Sequence, residues 1–387
     1  MHALLLLISL TAAQPALDDF NAICAADNGR LWGRSLCGPI VLVDPETREA
    51  VASADGRVFA AKIPESIGIA NTGVDWDGRR WTMVMWPLPD DPLARKALMA
   101  HESFHRIQKD LGFPSTGPRN VHLDTGGARY WMRLEWRALA RALDPKTSRR
   151  DAKRAVEDAL AYRAARRALT KDAAEEERLL EMHEGLAEYT GFALAEPRIA
   201  ARAEPIAKQL ARFEKRDSYV RSFAYASGPA WGTLIEMRDP QWTRSLKSSD
   251  DLGAIAARVW KARPTKEPHG DAVVRAEEDA RAEKKRIELA AARAKFVDGA
   301  VLTLPLEGGV SFDPNAVTPF GDAGTIYRTI STSGAWGKIE VSGGALVTSD
   351  WKRLVVPASG EGYTLTLNEG WRIVDDSRAG DKKVEAH

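Results

Sequence analysis

Apolar positions along the chain fall into three regimes. From residue 20 to 90 they come in short runs separated by turn residues. GPIVLVDPETREAVAS sets two apolar runs on either side of an Asp-Pro turn, the pattern of a hairpin. RRWTMVMWPLP predicts a strand from Arg80 to about Trp86, stopped by Pro87 and Pro89. From Asp91 the period becomes helical. Leu93, Ala97, Ala100, Phe104, Ile107 and Leu111 recur at three- and four-residue spacing behind an Asp91-Pro92 start, and Gly112 with Pro114 supplies the stop. The same periodicity predicts helices at 127–143, 151–169, 172–195, 197–214, 218–237 and 251–262. Residues 271–296 are rich in Ala, Glu, Lys and Arg and predict one long charged helix, read as a solvated connector. After Val297, segments such as VLTLPLEGGVSF and GKIEVSGGALVTS predict the short strands of a small sandwich or barrel.

These regimes predict an α+β chain with a mainly helical centre, a β-rich N-terminal part and a C-terminal all-β domain. The expected layout is a signal peptide at 1–16 and a central domain at 17–265, β-rich over 20–90 and helical over 91–265. A connecting helix at 266–297, a small β domain at 298–376 and a loose tail at 377–387 complete it. The signal rests on the apolar run Ala3–Leu10, too short to span a bilayer, followed by small residues. The competing reading of that run is a buried N-terminal helix. A signal implies a secreted or periplasmic protein. In such a protein an isolated pair, here Cys24 and Cys37, usually forms a disulfide; two buried thiols are the alternative. No later stretch reaches transmembrane length. The net charge of +1 provides no field for nucleic acid or an anionic membrane.

Chemistry concentrates on the helix that starts at Asp91. His101 and His105 are four apart and therefore project from one face, one turn apart, a spacing that lets two imidazoles reach one metal ion. Glu102 lies on the neighbouring surface, placed to approach a water rather than the ion itself. A five-residue match is short, so a third ligand decides its meaning, because a catalytic zinc has three protein ligands and one open position. LLEMHEGLAEYTG carries Glu184 and Glu188 one turn apart on a helix whose apolar residues occupy two faces. Such a helix is expected to be buried, and a buried carboxylate needs a partner; two surface glutamates are the plainer alternative.

HESFH followed by HEGLAEY resembles the gluzincin group of zinc metallopeptidases. The resemblance covers about residues 90–240 and implies a zincin-like catalytic domain acting on a peptide or protein. It implies His101, His105 and Glu184 as zinc ligands, Glu102 as general base, and Glu188 as an acid that orients a ligand histidine. Gluzincins commonly place a Tyr or His downstream against the oxyanion, and Tyr225 in RSFAYASGPAWG is the candidate. The spacer between the two motifs, residues 106 to 183, is longer than in thermolysin-like and aminopeptidase members. The aminopeptidase GxMEN sequence is absent, and WTMVMWPLP stands where an edge strand for substrate pairing is expected. The alternative function is a catalytically inactive cell-envelope binding protein on the same scaffold, with the C-terminal β domain doing the recognition.

Other signals read as structural. Asp124, in LDTGG, is expected to cap the next helix. Arg133, Arg137 and Arg141 form a basic row expected to face solvent. His122 lies in an expected loop. His183, about 100° round an α-helix from Glu184, is expected to be a poorer ligand. The sequence leaves oligomeric state open.

Overall fold

The computed structural model describes residues 9–387 except 116, 119, 314 and 315. The first eight residues of the expected signal peptide therefore lie outside the described residues. The rest of that stretch opens helix α1 (Leu10–Asp27), capped by Ser9, with Ala13, Ala16 and Leu17 buried in the core. The chain divides between Glu278 and Asp279 into two compact units. Together they contain both helices and sheets, an α+β chain with a helical region and a C-terminal all-β region.

In the first unit the N-terminal strands form a five-stranded sheet: β1 (Ile40–Val43), β2 (Glu49–Ala54), β3 (Arg57–Lys62), β4 (Thr72–Trp76) and β5 (Arg79–Met85), in the order β3-β2-β1-β5-β4. The expected hairpin is β1–β2, antiparallel with Ile40 opposite Ser53. Strand β5 pairs parallel with β1 and antiparallel with β4, so it is interior, and the edge expected there belongs to β4. Alternate residues of β1 enter different cores. Ile40 and Leu42 join the main one, while Val41 and Val43 pack with Trp81 and Met83 on the other face. Burial on both faces explains its unbroken apolar run.

Helix α2 (Pro92–Gln108) follows, with Asp91 accepting from the backbone N–H of Leu93 and Ala94 as its N-cap. Next come α3 (Gly126–Leu143), α4 (Arg149–Arg167) and α5 (Ala173–Leu180), which occupy the long spacer. Residues 181–185 then widen into a π-turn before α6 (Leu186–Ala195), where one unbroken helix was expected. Helices α7 (Ile199–Glu214), α8 (Phe223–Glu236) and α9 (Leu252–Trp260) complete the main core. Helix α10 (Ala272–Arg293) is not wholly a solvated connector: Val274 and Glu278 are buried. Among the described residues no helix is long and apolar enough to cross a membrane.

Several expectations fail because tertiary partners intervene. Thr125, not Asp124, caps α3; Asp124 instead accepts from Ser218 and the backbone of Tyr219. Arg133 is buried against Glu214 and Glu278 rather than solvated. His122, expected in a loop, lies in a short 3-10 turn (Val121–Asp124) and is buried with its Nε2 3.2 Å from Glu177.

The second unit begins with the C-terminal part of α10 and a helical turn at Ala294–Asp298, and its regular structure after that is mainly strand. A seven-stranded sheet contains β6 (Val301–Pro305), β8 (Val317–Pro319), β9 (Gly324–Tyr327), β12 (Ala345–Thr348), β13 (Arg353–Pro357), β15 (Trp371–Asp375) and β16 (Lys382–Ala386). A four-stranded sheet contains β7 (Val310–Phe312), β10 (Ile330–Gly334), β11 (Gly337–Val341) and β14 (Tyr363–Leu367). Leu302, Leu304 and Leu354 of one share a core with Ile330, Ile339 and Val341 of the other, which makes a sandwich. The tail expected to be loose is β16, paired antiparallel with β15 and parallel with β6.

Candidate metal centre

Helices α2 and α6 meet because one of them lacks a side chain at the crossing. A Cβ on Gly191 would lie 2.6 Å from the carbonyl oxygen of Ala97. Gly191 is three residues after Glu188, and Ala97 four before His101, so this contact sets the motif histidines against the acidic helix. A second close approach, Gly228 of α8 against Gly185 of the π-turn, brings Tyr225 beside Glu184; a Cβ on Gly228 would meet the Gly185 Cα at 2.3 Å.

The result joins three donor atoms from two segments 79 positions apart at the nearest. His101 Nε2 and His105 Nε2 are 3.0 Å apart, and Glu184 Oε2 lies 3.6 Å from the first and 3.4 Å from the second. Nitrogen and oxygen ligands about 2.0–2.1 Å from a tetrahedral zinc stand about 3.3–3.4 Å from one another. The three distances bracket that edge.

Hydrogen bonding fixes the state of both imidazoles. Gln108 Nε2 donates to the carbonyls of Pro114, His183 and Met182, so its Oε1 is the acceptor facing His105 Nδ1 at 2.7 Å. His105 therefore carries its proton on Nδ1. His101 Nδ1 donates to Glu188 Oε2 at 2.7 Å, and Glu188 Oε1 accepts from Gln209. With both Nδ1 atoms protonated, the neutral rings present two lone pairs to each other at 3.0 Å. Such an arrangement requires a proton or a metal cation between them.

The field favours either. Burial opposes a charge on His101, yet the carboxylates of Glu102, Glu184 and Glu188 outweigh it and push the imidazolium up to about 10. For Glu184, burial also works against charge, but the His101 and His105 rings hold its carboxyl far below the usual range. Glu102 behaves differently. Burial raises it, Glu184 and Glu188 add to the rise, and its Oε2 is buried without a hydrogen-bond partner. Its Oε1 is 4.0 Å from His101 Nε2, longer than a shared-ion edge. Glu102 is thus an unengaged carboxylate beside the donor triangle, which suits proton transfer better than ligation.

Two further groupings of potential ligands overlap this one, His101 with Glu102 and His105, and His105 with His183 and Glu184. His183 lies inside the π-turn of residues 181–185, a feature common at functional sites. Its Nδ1 faces Glu184 Oε1 at 3.5 Å, on the oxygen away from the histidine pair. Burial, aided by His105, Arg221 and His101, holds its ring down at about 4, neutral at pH 7, against the pull of Glu184. His101 and His105 differ from His183 in facing one and the same oxygen, Glu184 Oε2, and in lying 3.0 Å from each other. Tyr225 stacks on His101 with ring centroids 5.6 Å apart and planes 6° from parallel. Burial and the adjacent Glu184 charge push its phenol well above the ordinary value, so it stays a donor.

The spacer helices hold the segment that carries Glu184. Glu181, one turn before Glu184, accepts from Arg163, which also donates to Glu135. Arg166 bridges Glu135 and Glu177. Glu135, Arg166, Glu177 and Glu181 are all fully buried, and each charge has opposite charges beside it.

All six residues singled out by sequence, His101, Glu102, His105, Glu184, Glu188 and Tyr225, converge here. Gln108 was missed although it sits three residues after His105 on the same helix, a spacing that puts it beside that ring. Gln209 and Arg221 carry no local signal; only the packing of α7 and the turn before α8 brings them in. No family model, no curated protein and no solved structure matches the chain.

Proposed function

We propose that this chain is an exported zinc-dependent peptidase of zincin-like fold. The reading rests on one observation, the triangle of donor atoms at 3.0, 3.4 and 3.6 Å with both imidazole protons already committed elsewhere. His101, His105 and Glu184 would hold the ion. Bound there, zinc supplies Lewis-acid polarisation of a carbonyl and acidifies a water toward a pKa of about 7. Glu102 accepts the proton of the attacking water and returns it to the leaving amine, a role its raised pKa and unpartnered Oε2 suit. Glu188 and Gln108 orient the histidines through Nδ1. Tyr225 donates from its phenol toward developing negative charge. Export is supported by the Cys24–Cys37 disulfide, a bond that persists in oxidising compartments.

The test is metal analysis and peptide-library digestion of wild type and Glu102→Gln. One zinc per chain in both, with hydrolysis lost only in the variant, is the expected outcome. Equal hydrolysis by the two refutes the proposal. Stoichiometric zinc with no hydrolysis by wild type favours the binding-protein alternative, and no stoichiometric metal removes both.

A further inference from the structure

The turn before α8 is anchored more firmly than its exposure suggests. Asp124 accepts from Ser218 Oγ and from the Tyr219 backbone, each at 2.8 Å. Tyr219 is buried beneath the Arg129 guanidinium and donates to the Glu214 carbonyl. Arg221 projects from this fixed backbone. Its side chain is 73% exposed, yet its Nη2 lies 3.6 Å from Glu184 Oε1, the oxygen turned away from the histidine pair.

That contact is too long for a hydrogen bond, and an ion pair with so exposed a partner contributes little stability. A structural need therefore does not explain a guanidinium here. Two other arginines on α2 and α7 are engaged elsewhere: Arg106 donates to the carbonyls of Leu36 and Cys37, and Arg212 to Gln209. Arg221 thus brings a planar fork of N–H donors to the edge of the donor triangle, the geometry that grips a carboxylate with two parallel bonds.

Building on the peptidase reading, we propose that Arg221 binds substrate and selects a carboxylate next to the scissile bond, supplied by a free chain end or by an acidic side chain. Proximity to Glu184 confines that carboxylate to about one residue from the bond, since successive Cα atoms are about 3.8 Å apart.

The experiment uses the full-length zinc-loaded protein, wild type, Arg221→Ala and Arg221→Lys. Matched peptides carry next to the cleaved bond a free C-terminus or its amide, or an internal Asp/Glu or Asn/Gln. Wild type is expected to favour the carboxylate member of one set by about ten- to hundredfold, mainly in KM. Arg221→Ala should abolish that preference and Arg221→Lys retain part of it. The set that responds identifies the carboxylate's source. Hydrolysis without carboxylate preference, or preference that survives Arg221→Ala, overturns the inference and leaves the peptidase reading standing. Calorimetric binding of the same peptides to Glu102→Gln, with and without Arg221→Ala, needs no turnover. Carboxylate-dependent binding lost with Arg221, in a protein whose wild type hydrolyses nothing, upholds Arg221 and removes the peptidase. Absence of both binding and hydrolysis removes both.

Discussion

Gly191→Ala should damage metal binding more than folding. The added Cβ would sit 2.6 Å from the Ala97 carbonyl oxygen and 3.2 Å from its carbon. An ordinary carbon–oxygen contact is about 3.3–3.6 Å, so the two helices must part by roughly 0.7 Å. Ala97 cannot yield by rotation, because its carbonyl is the helical acceptor for the His101 N–H. Metal donors tolerate displacements of about 0.2 Å. Glu188, which orients His101, lies on the displaced helix, and loss of such a contact costs about 10–100-fold in affinity. Overpacking costs about 1–3 kcal/mol, and replacing Gly by Ala inside a helix returns about 1 kcal/mol. Net destabilisation is therefore about 0–2 kcal/mol. The assays are zinc competition against a chromophoric chelator and urea unfolding of the metal-free protein. Gly126→Ala is the control: a Cβ there meets nothing within 4 Å. It should leave zinc affinity unchanged and stability equal or raised by about 0.4–1 kcal/mol. Zinc affinity of Gly191→Ala within twofold of wild type would show that the close approach does not set the site.

Gln108→Ala should weaken zinc binding by about 10–100-fold with smaller effect on a Glu102-dependent proton step, since it frees the His105 ring from its acceptor; unchanged affinity in the same chelator competition would remove its orienting role. Acid should unfold the metal-free protein through the buried ion network. Burial alone would raise the carboxyls of Glu135, Glu177 and Asp251, but the facing Arg163, Arg166 and Arg167 hold these three below their ordinary values; at Glu181 burial outweighs Arg163 and Arg167 and the carboxyl is raised, so that one group opposes the trend. Their unfolded values are about 4.3 for Glu and 3.9 for Asp, so the unfolded chain binds more protons as pH falls. The stability they contribute is complete above about pH 5 and is lost progressively as pH drops through 4 and below. Urea midpoints at pH 7, 5, 4 and 3 measure this, and a flat profile would contradict the network.

What the amino-acid order determined by itself is what depends on local spacing. The four-residue intervals His101–His105 and Glu184–Glu188 each put two side chains on one helix face. The Asp91-Pro92 start and Gly112 stop bound helix α2 within three or four residues, and apolar periodicity located most other helices, because burial of one face writes itself into sequence. Local pattern failed where a distant partner overrode it. Asp124 serves the turn at Ser218 and Tyr219 rather than its own helix, Arg133 is drawn inside by Glu214 and Glu278, and the terminal residues find a strand to pair with. Tertiary structure alone decided that Glu184 faces the histidines, through two glycine contacts and a π-turn that no spacing rule anticipates. It alone recruited Gln209 and Arg221. Sequence periodicity sets which face a side chain occupies on its own element; only packing sets which other element that face meets.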